Sequence, residues 1–353
     1  MALKYYEQID MRNTKKLREL IAKLPDFCLT FFRGIEPRTS SRTRIAYAYD
    51  LNVFFDFLVK ENPVFGKKGK NEITPDDLDS LKVLDLEEYL DFLKLRYRET
   101  DNGAEDEVLN GPKGIKRKIS SLKSFYNYLY KDEMIKNNPA ALVSLPRLKE
   151  QDIIRMDADE VADFLDEVDS GRKLTKKQQE YHEKTKLRDA AMMSLMLGTG
   201  IRVSECVGLN IEDVDFKNDG ILIHRKGGKE VTVYFGDEVE PVLKEYIAAR
   251  KHMIAADGSE NALFLSMQNK RINVRSVEFM VKKYAQTVTP LKHITPHKLR
   301  STYGTNLYRE TGDIYLVADV LGHNDVNTTK KHYAALEDDR RRSARNKVHL
   351  RED

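Results

Sequence analysis

Residues 198–205 read Gly198-Thr199-Gly200-Ile201-Arg202-Val203-Ser204-Glu205. The stretch before them, Leu187–Leu197, is apolar enough for a packed helix; two glycines close it, and the chain re-enters a helix with an arginine held near the turn. A guanidinium at such a turn can grip a phosphate, because it is always charged and its planar fork matches two phosphate oxygens where lysine offers a point charge. Helix-terminal arginines are also common on ordinary surfaces, so Arg202 alone decides little. Glu205, three residues on, is placed either to hold Arg202 or to act as a first-turn acid that complements the helix dipole.

Reading outward toward the C-terminus, Val214–Phe216, Ile221–His224 and Val231–Phe235 read as short strands, the last two alternating around Lys226-Gly227-Gly228-Lys229. Lys226 and Lys229 flank the tip of that hairpin, where a lysine either keeps the turn soluble or delivers a proton to a leaving oxygen. Helices are expected at Pro241–His252, Val274–Tyr284, Lys298–Tyr308 and Ile314–Leu321. His297 and Arg300 share one helix face after the stop signal Thr295-Pro296. His323 follows Leu321-Gly322, where glycine ends a helix, and Tyr333 closes the run TTKKHY. Each of these has a bland reading as a cap, a packed ring or a surface tyrosine. As one ordered set they supply two guanidiniums, a mobile acid, two imidazoles and a phenol. Fixed cationic donors can stabilise the dispersed negative charge of phosphoryl transfer where other enzymes use magnesium. No GxxxxGK[ST] loop, no GxGxxG fingerprint and no carboxylate cluster of two-metal type occurs in the chain, so neither metal nor cofactor is expected.

Reading the other way, the N-terminal part shows amphipathic helices at Arg42–Val59, after the cap Thr39-Ser40-Ser41, and at Leu84–Arg96 and Ile115–Lys131, joined by polar loops. Asn138-Pro139 and Leu145-Pro146-Arg147-Leu148-Lys149 interrupt helix and strand alike. They divide the chain into a helical domain, 1–148, and a second domain, 154–353, which opens with a helix at Asp157–Val168 and a polar stretch at Ser170–Glu183. Within 111–150 there are nine Lys and Arg against three Asp and Glu, while acidic residues gather at Asp76–Asp79, Asp101–Glu107 and Asp157–Asp169. A basic face with acidic faces turned away suits a polyanion; it also suits a solvated helix. Arg42, Arg44, Lys116, Arg117, Lys118 and Lys123, with Lys229 of the hairpin, are the candidates for phosphate contact.

The composition agrees with a soluble two- or three-domain chain: 353 residues, 41% hydrophobic and 33% charged. Lys and Arg number 60 against 57 Asp and Glu, a net charge of +3 that by itself names no partner. No apolar run approaches the ~20 residues of a bilayer crossing, and the N-terminus lacks a signal-peptide core, so a cytoplasmic protein is expected. Two cysteines, Cys28 and Cys206, outside any CxxC or Cys/His cluster, speak against a disulfide scaffold and a zinc site.

The ordered motifs GTGIRVSE, HRKGGKE, TPHKLR, LGH and TTKKHY resemble the arginine, lysine, His-x-x-Arg, histidine and tyrosine boxes of the tyrosine recombinases, most nearly those of Xer type. The resemblance extends through the N-terminal helices and covers nearly all of the chain. It implies a mainly α fold with a small antiparallel sheet (α+β), in which a core-binding domain and a catalytic domain form a C-shaped clamp on DNA. It implies that Tyr333 attacks the scissile phosphate and forms a 3′-phosphotyrosyl bond, that Lys226 protonates the departing 5′-oxygen, that Arg202 and Arg300 hold the non-bridging oxygens, and that His297 and His323 assist, with Glu205 in support. The implied partners are double-stranded DNA with a specific recombination site, three further protomers in a tetramer on two duplexes, and a DNA translocase or other activating protein. The tail Leu336–Asp353 is expected to dock on a neighbouring protomer.

Two departures stand out. Ten residues rather than the family's nine separate His323 from Tyr333, with His332 in the ninth place, and Ser301 stands where the family often has a histidine. An integrase of a mobile element, a type IB topoisomerase and a non-catalytic DNA-binding protein are the rival readings.

Overall fold

The computed structural model describes residues 5–99, 105–148, 154–225, 229–322 and 326. Lys226, His323, Tyr333 and the tail Leu336–Asp353 lie outside the described residues. The chain divides into two compact units, Met1–Glu150 and Gln151–Asp353.

The first unit holds α1 (Tyr5–Ile21), α2 (Cys28–Ile35), α3 (Ser41–Glu61), α4 (Pro75–Ser80), α5 (Val83–Lys94), the strands β1 (Leu95–Glu99) and β2 (Glu105–Leu109), α6 (Pro112–Lys131) and α7 (Pro139–Leu142). Ser40 caps α3 by accepting the Thr43 N–H, as expected of an N-cap hydroxyl. The core is aromatic: Phe31, Phe54, Phe55 and Phe125 are fully buried, and the rings of Phe31 and Phe125 meet edge to face at 5.1 Å.

The expected helix Leu84–Arg96 ends at Lys94, and an antiparallel hairpin, pairing Leu95 with Leu109 and Tyr97 with Glu107, replaces the polar loop. Alternation betrays a strand only where one face is buried. Here Leu95, Tyr97 and Leu109 are 45%, 54% and 76% exposed, so no such pattern was selected.

Three of the basic residues expected to face phosphate are engaged inside this unit. Arg117 donates two hydrogen bonds, of 2.5 and 2.7 Å, to Asp50, which also accepts one from Ser121 at 2.7 Å. Lys118 is buried and donates to Asn110 Oδ1 at 3.1 Å; burial holds its pKa below the ordinary lysine value. Arg44 is buried and pairs with the Glu36 carboxylate at 3.0 Å. Arg42 is exposed, and Lys123 donates to the Ala141 carbonyl at 3.3 Å. The Asp50 side chain is only 2% exposed, and burial pushes its carboxyl pKa upward against the pull of Ser121 and Arg117. Arg117→Ala therefore strands a buried carboxylate. It is expected to destabilise the protein by about 3 kcal/mol, the low end for a broken buried pair because the guanidinium is half-exposed. Denaturant unfolding measures the loss, and adding Asp50→Asn in the same chain should recover most of it.

The second unit holds α8 (Ala158–Ser170), α9 (Lys176–Thr199), α10 (Val203–Gly208), β3 (Val214–Asp215), β4 (Gly220–His224), β5 (Glu230–Tyr234), α11 (Glu240–Arg250), α12 (Val274–Val288), α13 (Pro296–Thr311) and α14 (Ile314–Leu321). The three strands form one antiparallel sheet in sequence order, with Ile223 opposite Val231. The fold class is thus mainly α with small antiparallel sheets.

Helix α9 is the axis of this unit and packs on α8, α11 and α13. It starts well before the apolar run, inside the polar stretch Ser170–Glu183, where Thr175 caps it by accepting from the Gln178 N–H. Lys, Gln and Glu favour helix without an apolar stripe, which is why periodicity missed these turns. Beneath them lies a buried polar network: Asp189 accepts from Arg188 at 2.6 Å and from Tyr284 at 2.8 Å, and the Tyr284 hydroxyl meets His182 Nδ1 at 3.0 Å. These bonds tie α9 to α12. Among the described residues no helix is long and apolar enough to cross a membrane.

Candidate active site

The glycines of the opening stretch set the geometry. Gly200 ends α9 at φ +64°, the left-handed conformation that costs glycine nothing. A Cβ there would strike the ring of Tyr303 and come within 2.9 Å of Leu321. The chain can therefore turn tightly against α13 and α14 before α10 begins at Val203.

Arg202 is the N-cap residue of α10. Glu205 performs both of the roles considered for it. Its Oε2 accepts the Arg202 backbone N–H at 2.7 Å, and its Oε1 accepts Nη1 of the same arginine at 2.8 Å. The carboxylate is buried and the arginine side chain is 41% exposed, so the guanidinium is anchored from beneath and open above. Its Nη2 donates to the Gly322 carbonyl at 3.2 Å.

Arg300, on α13, is 4% exposed. Its Nη1 donates to the Gly200 carbonyl at 2.6 Å and its Nη2 to the Leu321 carbonyl. Proline at the first turn of α13 places His297 exposed near the helix start, one turn before Arg300. The Ser301 hydroxyl donates back to the His297 carbonyl at 3.0 Å, so at this departure the side chain closes on its own helix.

A third guanidinium, unanticipated from the sequence, joins these two. Arg225, at the end of β4, donates through Nη2 to the Val320 carbonyl at 2.9 Å. The final carbonyls before and after the end of α14, Val320, Leu321 and Gly322, thus each receive one arginine, from the hairpin, α13 and the turn into α10 respectively. A helix C-terminus carries partial negative charge and unsatisfied carbonyls, so it is a natural anchor for cations. Three guanidiniums are thus gathered at one helix end, that of Arg202 also paired with Glu205. The only sequence signal for Arg225 is its place immediately before Lys226. Lys229, across the hairpin, is exposed. Among the described residues no group of three His, Cys, Asp or Glu side chains gathers to hold a metal.

The profile of the phage integrase family matches residues 155–340. The chain belongs to that family. It is similar to the tyrosine recombinase XerC of Caldanaerobacter subterraneus subsp. tengcongensis, 33% identical over 90% of this chain and 84% of that protein. It is also similar to the tyrosine recombinase XerS of Streptococcus uberis, 30% identical over 95% and 98% of the two chains. Among solved structures, the XerH site-specific recombinase bound to a palindromic difH substrate shares the fold, with a TM-score of 0.64 at 18% identity over 86% of this chain and 80% of that one. The Tn1549 transposon integrase in complex with circular intermediate DNA does so at 0.60 and 22%, over 87% and 94%. The protein is thus a tyrosine recombinase of Xer type, an enzyme that cuts and rejoins DNA at specific sites.

Proposed function

We propose that this recombinase resolves chromosome dimers, acting in the cytoplasm as a tetramer on two duplexes, with Tyr333 as its nucleophile. The observation that carries the chemistry is the meeting of Arg202 and Arg300 on the residues just before His323. In the proposed step the Tyr333 oxygen bonds to phosphorus while the bond from phosphorus to the 5′-oxygen breaks. The leaving oxygen takes a proton from Lys226, and the phenol proton passes through His297. Arg202, Arg300 and His323 stabilise the charge that builds on the non-bridging oxygens. The phosphotyrosyl bond keeps the energy of the broken linkage, so a 5′-hydroxyl from the partner duplex reverses the step. Arg42, Lys116, Lys123 and Lys229 supply phosphate contacts, with Arg117 adding to them through its exposed end; such contacts make affinity fall with salt. The tail Leu336–Asp353 links neighbouring protomers, and a DNA translocase or another protein sets the time of exchange.

The test begins with selection of the cognate site from random duplexes. A nicked duplex carrying that site should then trap a covalent protein–DNA adduct, and two intact copies should exchange strands. An adduct with relaxation of supercoils but no exchange would indicate a topoisomerase, and binding without an adduct would indicate a non-catalytic protein. A site that maps to the end of a mobile element rather than to the replication terminus would overturn dimer resolution in favour of integration.

A further inference from the structure

Arg202 and Arg300 have parts in the chemistry already described, but Arg225 has none, although its placement is as specific as theirs. Its backbone N–H donates to the Lys229 carbonyl at 2.8 Å, so it stands at the neck of the hairpin, next in the chain to Lys226. Its guanidinium lies against Gly322, where any Cβ would collide with it, and grips the Val320 carbonyl at 2.9 Å. Its Nε is buried and finds no hydrogen-bond partner among the described residues. A neutral donor would satisfy Val320 without setting a third positive charge beside two others, an unfavourable arrangement in the absence of an anion. The grip therefore does more than close a helix end. It ties the base of the hairpin to the end of α14, and Lys226 and His323 are the next residues in the chain after Arg225 and Gly322.

We propose that Arg225 is a positioning residue for proton delivery: by latching the hairpin neck to the end of α14, it holds Lys226 against the leaving 5′-oxygen. The proposal rests on Lys226 being the general acid. During cleavage the bond from phosphorus to that oxygen breaks with its electron pair remaining on oxygen. Proton transfer from Lys226 makes the oxygen a 5′-hydroxyl, and the new bond joins phosphorus to the Tyr333 oxygen. If sulfur replaces the bridging 5′-oxygen, the leaving group is a thiolate, which departs without a proton because thiols are far more acidic than alcohols. Loss of proton delivery then matters little, whereas loss of phosphate binding, nucleophile placement or folding matters as before.

The experiment compares single-turnover cleavage of nicked cognate duplexes with oxygen or sulfur at that position, for the unaltered full-length chain, Arg225→Ala, Arg225→Gln and Lys226→Ala. Arg225→Gln retains a neutral donor and most of the volume, which guards against simple misfolding. Arg225→Ala is expected to cleave the oxygen substrate roughly 10²-fold more slowly, the usual scale of general acid catalysis, and Arg225→Gln, which keeps one donor on a shorter side chain, to lie between it and the unaltered chain. On the sulfur substrate they should return to within about tenfold of the unaltered chain, with DNA affinity unchanged. Equal slowing on both substrates, while Lys226→Ala recovers on sulfur, overturns the role of Arg225 alone. Failure of Lys226→Ala to recover on sulfur overturns the general acid assignment, and the role of Arg225 with it.

Discussion

Tyr333→Phe is expected to form no covalent adduct with a nicked cognate duplex while binding that duplex as tightly as the unaltered chain. The substitution removes one oxygen and keeps the ring, so shape, charge and packing are preserved and only the atom that would bond to phosphorus is lost. Deleting the nucleophile of a covalent enzyme lowers turnover by a factor on the order of 10⁶, below the detection limit of an adduct assay. The neighbouring residue makes the test sharper. His332 lies nine residues after His323 and Tyr333 lies ten. His332→Ala should therefore still form the adduct, and peptide mapping should find DNA on residue 333. An adduct that survives Tyr333→Phe, or DNA mapped to His332, would displace the phenol from its role.

The second large effect is expected at Arg300. Its side chain is buried, and one planar group reaches both the Gly200 and the Leu321 carbonyls. Arg300→Ala removes a fixed cation from the proposed phosphate site, which should slow single-turnover adduct formation by roughly 10²–10³-fold. It also leaves two carbonyls without their donor, at about 1–3 kcal/mol for each that water does not reach. Arg300→Lys keeps the charge but cannot span both carbonyls and still address a phosphate, because an ammonium is a point donor on a flexible stem. Its rate should lie near that of the alanine variant, with thermal unfolding lowered in both. Recovery by lysine to within about tenfold of the unaltered chain would show that charge rather than the bridging geometry matters here.

The opening stretch illustrates how far local sequence reaches. Two glycines ending an apolar helix announced the turn between α9 and α10, and Gly200 does adopt the left-handed conformation there. Glu205, which spacing left with two possible roles, turned out to fill both, since one carboxylate has two oxygens and the N-cap backbone and the arginine head present a donor to each. The first turns of α9 and the β1–β2 hairpin were not legible, because neither carries the apolar periodicity that burial of one face imposes.

The basic residues of the first unit show the opposite limit. Lys116, Arg117 and Lys118 are adjacent in sequence and indistinguishable by charge. The pitch of α6 and the position of α3 then turn Arg117 onto Asp50 and bury Lys118 beside Asn110.

By itself the sequence determined the family, the mainly helical class and the order of the chemical residues, because these depend on residue type and on spacing along one chain. Only the tertiary structure decided which cations meet. Arg202, Arg225 and Arg300 come from a turn, a strand end and the second turn of a helix, and they converge because the last carbonyls of α14 offer negative partial charge that no local pattern records.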